Sequence, residues 1–125
     1  MGYRSQVAVV IKTADNDKFA EAINDWDERY NLKGCYSVKH LIKCADVDEK
    51  SKDGEYRIIS WDDIKWYSDI KGFKDVDFFE HLDDYDIEYD LIRIGEEMGD
   101  YEVNGELRSG LIWPNQDIWF DDKYI

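Results

Sequence analysis

The sequence predicts a single α+β domain in which helices cover one face of an antiparallel sheet. The chain has 125 residues, the size of one ordinary domain. Hydrophobic residues make up 43% of it, which is enough to build a core despite the acidic composition. Apolar patterns follow one another in the order strand, helix, strand, strand, helix, strand, and this order is typical of α+β folds.

The first two predicted elements are a buried strand and an amphipathic helix. Residues 6–13, QVAVVIKT, form a nearly continuous apolar run, as in a central strand covered on both faces. Asp15 is a suitable cap for the helix that follows, and Asn31 and Gly34 provide its stop. The apolar side chains that recur at helical spacing between these signals are Phe19, Ala22, Ile23, Trp26 and Tyr30.

The middle of the chain is predicted to contain two strands separated by a charged loop. Residues 35–45, CYSVKHLIKCA, alternate between apolar and polar, so we expect a strand with one packed face on which His40 lies. Residues 46–54, DVDEKSKDG, read as a loop that ends in an Asp-Gly turn signal. Residues 55–61, EYRIISW, resume a strand.

Two further elements complete the pattern. A second helix is predicted over residues 75–85, with Phe78, Phe79, Leu82 and Tyr85 facing inward, and a strand follows at 87–95. The resulting order is the split βαβ pattern of a ferredoxin-like βαββαβ sandwich, with two helices on one face of an antiparallel sheet.

The chain is predicted to be one domain, 1–125, with its core in 6–95 and an extension in 96–125. In the extension, Asn104-Gly105 between short alternating segments predicts a C-terminal β-hairpin, and an aromatic and acidic tail follows it.

The charge distribution excludes several classes of function. The net charge is −14: residues 1–60 carry 11 acids against 10 bases, a net of −1, and residues 61–125 carry 19 against 6, a net of −13. Such a field attracts basic proteins and repels nucleic acid and anionic lipid. We expect a cytoplasmic protein, because there is no membrane-length apolar run, no signal-peptide pattern and no disulfide framework.

The sequence predicts no catalytic residues, no metal site and no cofactor. The 46–54 loop begins like a calcium loop, but Lys50 and Ser51 stand where a ligand and a glycine are needed. There is no nucleophile elbow, phosphate loop or compact nucleophile–base pair. Arg93 is expected to meet an acid on a neighbouring strand. The possible zinc ligands, which lack the paired spacings of a zinc site, are Cys35, His40, Cys44 and His81.

Residues 75–90, DVDFFEHLDDYDIEYD, contain eight acids and one possible cation, His81. On a helix, acids three or four positions apart would lie about 5–6 Å from one another, a spacing comparable with that of DNA phosphates along one strand. Like charges at this spacing cost about a few tenths of a kcal/mol each. The functional hypothesis is a DNA-mimicking surface that occupies a basic groove. The alternatives are an acidic face retained for solubility and a surface that binds ions.

Two further segments combine tryptophan with paired aspartates, at 60–69 (SWDDIKWYSD) and 117–125 (DIWFDDKYI). Their rings either cover the end of the sandwich or anchor a partner while the acids steer its approach. The residues predicted to bind a partner are Trp61, Asp62, Asp63, Trp66, Asp77, Glu80, Asp83, Asp84, Asp86, Glu88, Asp90, Trp119, Asp121 and Asp122.

Three segments, GYRSQVAVVIK (2–12), WDDIKWY (61–67) and IRIGEEMGDYEVNG (92–105), resemble those of short phage and prophage proteins that begin Gly-Tyr-Arg-Ser. The resemblance implies a phage origin and expression in an infected bacterium, but no functional motif is tied to it. Small acidic phage proteins are often anti-CRISPR or anti-restriction inhibitors of host defence. The expected function is therefore non-enzymatic inhibition of a host defence or nucleic-acid-processing protein with a basic surface.

Two alternatives stay open. One is an oligomer, with a homodimer as one possibility, that binds or sequesters a small nucleotide signal through Arg4, Arg57 and Arg93. The other is a phage structural or assembly protein with no inhibitory role. An enzyme would be marked by a cleft that holds carboxylates of raised pKa.

Overall fold

The computed structural model describes residues 4–66, 74–97, 99–114 and 118–120 and confirms an α+β fold. The strands are β1 (Ser5–Lys12), β2 (Val47–Lys50), β3 (Tyr56–Ile64), β4 (Tyr89–Gly95), β5 (Tyr101–Gly105), β6 (Ile112–Pro114) and β7 (Ile118–Phe120). The helices are α1 (Asn16–Arg29), α2 (Val38–Lys43) and α3 (Lys74–Asp77), and single 3-10 turns occupy Thr13–Asp15, Gly34–Tyr36, Phe78–Glu80 and Leu82–Tyr85.

The main sheet has the order β2-β3-β1-β4-β5, and every neighbouring pair is antiparallel. β3 therefore lies between β1 and β2, which run parallel to each other. β1 is central, as its sequence predicted, and all five residues from Val7 to Ile11 are fully buried. β6 and β7 form a separate antiparallel pair.

The helices cover one face of the sheet. α1 buries Phe19, Ala22, Ile23 and Trp26 in the cluster that contains the alternate β1 residues Val7, Val9 and Ile11. The predicted helix is thus confirmed, although Tyr30 lies just beyond its last turn and is 38% exposed. The Asp15 side chain makes no capping hydrogen bond: Asp15 belongs to the preceding 3-10 turn, with φ −94° and ψ 6°, and lacks the extended backbone of a usual N-cap.

The other face of the sheet is covered by the C-terminal segment. Leu111 and Ile112 pack against Val10, Ile58 and Ile92 in a second buried cluster. Both faces of the three central strands are therefore covered, which explains why β1 is apolar at successive positions.

The strand predicted at 35–45 is wrong, because this segment is helical. Val38 and Leu41 are buried and three positions apart, whereas His40 is exposed rather than interior. Alternation and helical spacing coincide over so short a segment, and the fully packed side chains are the i, i+3 pair, with Ile42 partly buried against the same core.

The start of α2 is fixed by two capping groups. Ser37 Oγ accepts a hydrogen bond from the His40 backbone N–H at 3.1 Å. The carboxylate of Asp27, on α1, accepts the N–H groups of Val38 at 2.8 Å and Lys39 at 3.3 Å. A tertiary contact thus satisfies the first donors of the helix.

The loop predicted at 46–54 contains the second strand. β2 occupies Val47–Lys50 and pairs with residues 57–60 of β3. The predicted turn follows it: Gly54 has φ +75°, and its N–H donates to the Ser51 carbonyl at 2.9 Å. The predicted turn is confirmed, whereas the loop prediction is wrong over Val47–Lys50, which form a strand.

The continuous second helix predicted over 75–85 is also wrong. α3 has only four residues, two 3-10 turns follow, and Asp86 adopts a left-handed conformation. Acids that would face one another at i, i+3 and i, i+4 disfavour a regular helix here. The inward side chains Phe78, Phe79 and Leu82 are nevertheless fully buried, as predicted, and Tyr85 is half-buried against the same core cluster.

The hairpin predicted at Asn104-Gly105 is not formed in the described residues. β5 pairs instead with β4, through a turn in which Gly99 has φ +80°. Gly105 ends β5 with φ +85°, and a Cβ atom there would overlap the Tyr89 carbonyl oxygen. The turn signal thus marks a close backbone approach rather than a hairpin.

Candidate interaction surface

Several acids of the acidic segment, defined as residues 77–90, have partners within the chain. Asp77 and Asp84 flank His81, with Oδ1 of the first 3.6 Å from Nε2 and Oδ2 of the second 3.3 Å from Nδ1. The His81 ring stacks on Trp26 with ring centroids 5.4 Å apart. Asp77 is itself buried, so it presents little charge to a partner.

Two lysines of the N-terminal half contact the same segment. Lys18 Nζ lies 3.4 Å from Asp86 Oδ2, and Lys12 Nζ lies 2.8 Å from Glu88 Oε1. The hydrogen bond and the charge of Glu88 raise the pKa of Lys12. Both pairs are largely exposed, so each stabilises the fold little, but each offsets an acid that the sequence alone leaves uncompensated.

Asp90 anchors the C-terminal segment. Its carboxylate accepts hydrogen bonds from the backbone N–H of Arg108 and of Ser109, both at 2.9 Å, and from Ser109 Oγ at 2.6 Å. These bonds hold the chain where it turns back toward the second face of the sheet. Asp90 therefore has a structural role.

Glu80 and Asp83 are the other acids of the segment. Glu80 is half-buried and Asp83 is exposed. Burial raises the pKa of the Tyr89 hydroxyl, and the charges of Asp83 and Glu80 raise it further. The exposed acids of the segment are Asp83, Asp84, Asp86 and Glu88.

The tryptophans at 61 and 66 belong to the core. Trp61 is 2% exposed and Trp66 is 6% exposed, with their ring centroids 5.4 Å apart. Trp61 Nε1 donates to the Leu41 carbonyl at 3.0 Å, and its ring meets Phe79 edge-on at 5.5 Å. Little area of these rings is left for a partner. Trp61 and Trp66 therefore pack within the fold, as in the first of the two interpretations of this segment.

The tail residues can be placed only in part. Trp119 lies on β7, opposite Trp113 of β6. Asp121 and Asp122 lie outside the described residues.

The strand order brings a different group of acids together at one end of the sheet. Ser5, at the start of β1, lies opposite Ile64 of β3 on one side and Gly95 of β4 on the other. Acids near the ends of β3 and β4 therefore meet beside Arg4. We define the carboxylate end as Asp62, Asp63 and Glu96.

Arg4 is held between two of these acids. Its Nε donates to Asp63 Oδ1 at 2.9 Å, its Nη2 donates to the Asp63 carbonyl at 3.0 Å, and its backbone N–H donates to Glu96 Oε1 at 2.9 Å. Asp46 adds a fourth carboxylate nearby, because its Oδ2 accepts the Asp62 N–H at 2.7 Å.

The carboxylate end surrounds an open cavity of about 220 Å³. Its three acids are exposed, and the Asp63 side chain remains 70% exposed despite its bond to Arg4. Three carboxylates against one guanidinium leave a negative site suited to lysine or arginine side chains. The cavity is lined by Arg4, Ser5, Gln6, Asp62, Asp63, Ile94, Gly95 and Glu96.

The other two arginines considered as anion contacts are bonded to acids. Arg57 donates from Nε and Nη2 to the two oxygens of Asp48, both at 2.8 Å. Arg93 donates to Asp100 at 2.8 Å and to Glu102, on the adjacent strand, at 2.9 Å. The Asp100 hydrogen bond is the main cause that raises the Arg93 pKa. The predicted pairing of Arg93 with an acid on a neighbouring strand is confirmed.

Sequence reasoning missed one close contact between a cysteine and a histidine side chain. Cys44 Sγ lies 3.2 Å from His40 Nε2 on the exposed side of α2. The sequence signal for this contact is the four-residue spacing of His40 and Cys44, which brings two side chains together only if the segment is helical. Within the described part of the chain, no group of three or more such side chains could hold a metal ion.

Among the described residues, no helix is long and apolar enough to cross a membrane. Comparison of the chain with protein-family models, with curated proteins and with solved structures gives no significant match.

Proposed function

We propose that this protein is a phage-encoded, non-enzymatic inhibitor that binds a basic surface on a host defence or nucleic-acid-processing protein in the bacterial cytoplasm. The observation that carries the proposal is the carboxylate end, where Asp62, Asp63 and Glu96 face solvent around an open cavity with Arg4 as the cation that lines it. The net charge of −14 gives the whole molecule the sign that a basic groove attracts.

The proposed mechanism is competition with nucleic acid. Carboxylates of the carboxylate end occupy positions that phosphates would take, and the exposed Asp83 and Asp84 add to the field that steers the approach. Association should be fast at low ionic strength and should weaken with salt, since exposed charges are screened over about 8–10 Å in ordinary buffers.

The arginines favour this function over binding of a nucleotide signal. Arg4, Arg57 and Arg93 would have to release Asp63, Asp48 and Asp100 before they could bind a phosphate. In each pair a guanidinium nitrogen lies 2.8–2.9 Å from a carboxylate oxygen, within hydrogen-bonding distance.

We also propose that the sheet is a variant of the ferredoxin-like sandwich. Its first four strands lie in the order β2-β3-β1-β4, so that β3 is inserted between β1 and β2 and β1 between β3 and β4. This is the split βαβ arrangement repeated twice. The departures from it are the short α3 that replaces the second helix and the added edge strand β5.

The test is a charge-reversal experiment on protein captured from a bacterial lysate. Tagged protein should retain a nucleic-acid-binding complex at low salt, and duplex DNA or high salt should release it. The double variant Asp62→Lys/Asp63→Lys should reduce retention about tenfold or more, because two steering charges are reversed at the contact.

The matched control is Glu21→Lys/Glu28→Lys, which makes the same change in net charge on the exposed side of α1. This control should retain most of the binding. Equal loss in both variants would mean that net charge alone matters, and undiminished binding by Asp62→Lys/Asp63→Lys would exclude the carboxylate end as the contact. Circular dichroism of each variant verifies that it is folded.

A further inference from the structure

The main sheet ends in two different edges. The edge strand β2 has four residues, and its last three are charged and exposed, a pattern that discourages pairing with another chain. The opposite edge strand, β5, carries the apolar side chains of Tyr101 and Val103, each 55% exposed. Exposed apolar residues on an edge strand instead favour pairing with another chain.

The hydrogen-bond pattern shows which backbone groups of β5 point outward. The Gly95 N–H donates to the Asp100 carbonyl at 2.8 Å, at the start of the β4–β5 ladder. Bonded and non-bonded pairs alternate in an antiparallel ladder, so Glu102 is the next residue that bonds to β4. Tyr101 and Val103 therefore direct their N–H and C=O groups away from β4.

These outward groups have no strand beside them among the described residues. Over the ranges of chain that the structure describes, the backbone of Tyr101 and Val103 makes no hydrogen bond. Two donors and two acceptors are enough to seat a short extended segment beside β5, as in the recognition of peptides by strand addition.

The charge around this edge selects the occupant. Residues 96–106, EEMGDYEVNGE, contain five acids and neither lysine nor arginine. The guanidinium of Arg93 reaches this edge but is bonded to Asp100 and Glu102, which leaves the exposed Glu106 without that cation. A second copy of β5 would bring like charges together, whereas a basic strand would compensate them.

We propose that β5 receives an extended, basic segment of the protein partner as an additional strand. The backbone of the segment bonds to Tyr101 and Val103, its apolar side chains pack on these two, and its basic side chains meet Glu102 and Glu106. The inference rests on the proposed function for the basic character of the partner, and it adds the place and the conformation in which part of the partner binds.

The test uses a nine-residue peptide of alternating lysine and valine, titrated into the full-length protein by calorimetry. Val103→Pro removes an outward N–H and leaves the bonds of Glu102 to β4, since proline is tolerated on an edge strand whose N–H faces solvent. It should weaken peptide binding at least tenfold. Val103→Thr, which keeps the N–H, should bind like the parent protein.

A peptide of the same sequence that is N-methylated at alternate residues provides a control that needs no protein variant. It keeps its charge but cannot extend a ladder, so it should lose most of its affinity. Three outcomes would each overturn the inference. The N-methylated peptide could bind as tightly as the unmethylated one, Val103→Pro could bind the unmethylated peptide as tightly as the parent protein, or the parent protein could fail to bind it up to millimolar concentration. A dimer in sedimentation that Val103→Pro abolishes would assign the edge to a second copy instead.

Failure here and failure of the proposed function can be distinguished. Asp62→Lys/Asp63→Lys leaves β5 unchanged, and Val103→Pro leaves the carboxylate end unchanged. Loss of binding in the first variant together with unaltered peptide binding by Val103→Pro would keep the inhibitor and reject the added strand.

Discussion

The acidic segment and the carboxylate end contain the same types of side chain, aspartate and glutamate, but use them in opposite ways. In the acidic segment, Asp77 and Asp84 flank a histidine, Asp86 and Glu88 contact lysines, and Asp90 binds backbone amides. At the carboxylate end, three exposed acids surround one arginine and an open cavity. The segment with the densest acid in the sequence is therefore the one whose charge is most used within the molecule.

The number of acids in a stretch of sequence therefore does not locate a binding surface. Two acids of the acidic segment, Glu88 and Asp86, are compensated by lysines more than 60 positions away, Lys12 and Lys18. The carboxylate end has only a pair of aspartates and one glutamate, but the ends of three strands concentrate them. The charge that a region presents to a partner depends on which side chains the fold places next to each acid.

The largest effect expected on either region comes from the apolar side of the acidic segment. Phe79 is fully buried, with its ring 5.5 Å from that of Trp61 and 5.6 Å from that of Trp66. Phe79→Ala should lower the free energy of unfolding by about 3–5 kcal/mol, measured by urea denaturation. Asp62→Lys/Asp63→Lys should lower it by less than about 1 kcal/mol. A reversed ranking would mean that the carboxylate end is structural.

An intermediate effect is expected from Asp90. Asp90→Ala leaves the N–H groups of Arg108 and Ser109 without their acceptor, which should cost about 1–3 kcal/mol of the free energy of unfolding. The control Asp83→Ala removes an exposed acid of the same segment and should change it by no more than about 0.5 kcal/mol. Equal effects in chemical denaturation would contradict the anchoring role of Asp90.

The smallest effect is a titration. Burial, followed by the hydrogen bond from Tyr85 to Asp25 and the charge of Asp25, raises the pKa of the Tyr85 hydroxyl to about 12. Because the folded-state pKa lies above the ordinary value of about 10, this contribution to stability is complete below pH 10 and is lost as the pH rises through 12. Tyrosinate absorbance after a rapid pH jump should lose a step near pH 12 in Tyr85→Phe.

The control for that titration is Tyr101→Phe, which removes an exposed tyrosine. It leaves Tyr85 in place, so the step near pH 12 should remain. Persistence of the full step near pH 12 in Tyr85→Phe would show that another tyrosine titrates there.

The elements predicted correctly are those with a strong local signal. β1 is apolar at successive positions, and α1 repeats its apolar residues over nearly four turns. The segment at 35–45 was misread because a six-residue helix shows only one i, i+3 pair, Val38 and Leu41. Its decisive cap comes from Asp27 on another helix, and no local pattern contains that contact.

The candidate site could be predicted only in part. Asp62 and Asp63 were identified from their own segment, whereas Glu96 and Arg4 join them through strand order and register. The same holds for β5, whose open edge depends on which residues of β4 it pairs with. The misplaced turn at Asn104-Gly105 hid this edge, because a hairpin there would have given β5 a second neighbour.

The central position of β1 has a consequence for biosynthesis. β1 ends at Lys12, whereas its neighbours begin at Tyr56 and Tyr89, and the residues that cover its second face are Leu111 and Ile112. Its apolar residues therefore leave the ribosome long before any strand can pair with them. The unpaired β1 segment favours aggregation during synthesis, so a chaperone that holds the emerging chain should raise the yield of folded protein.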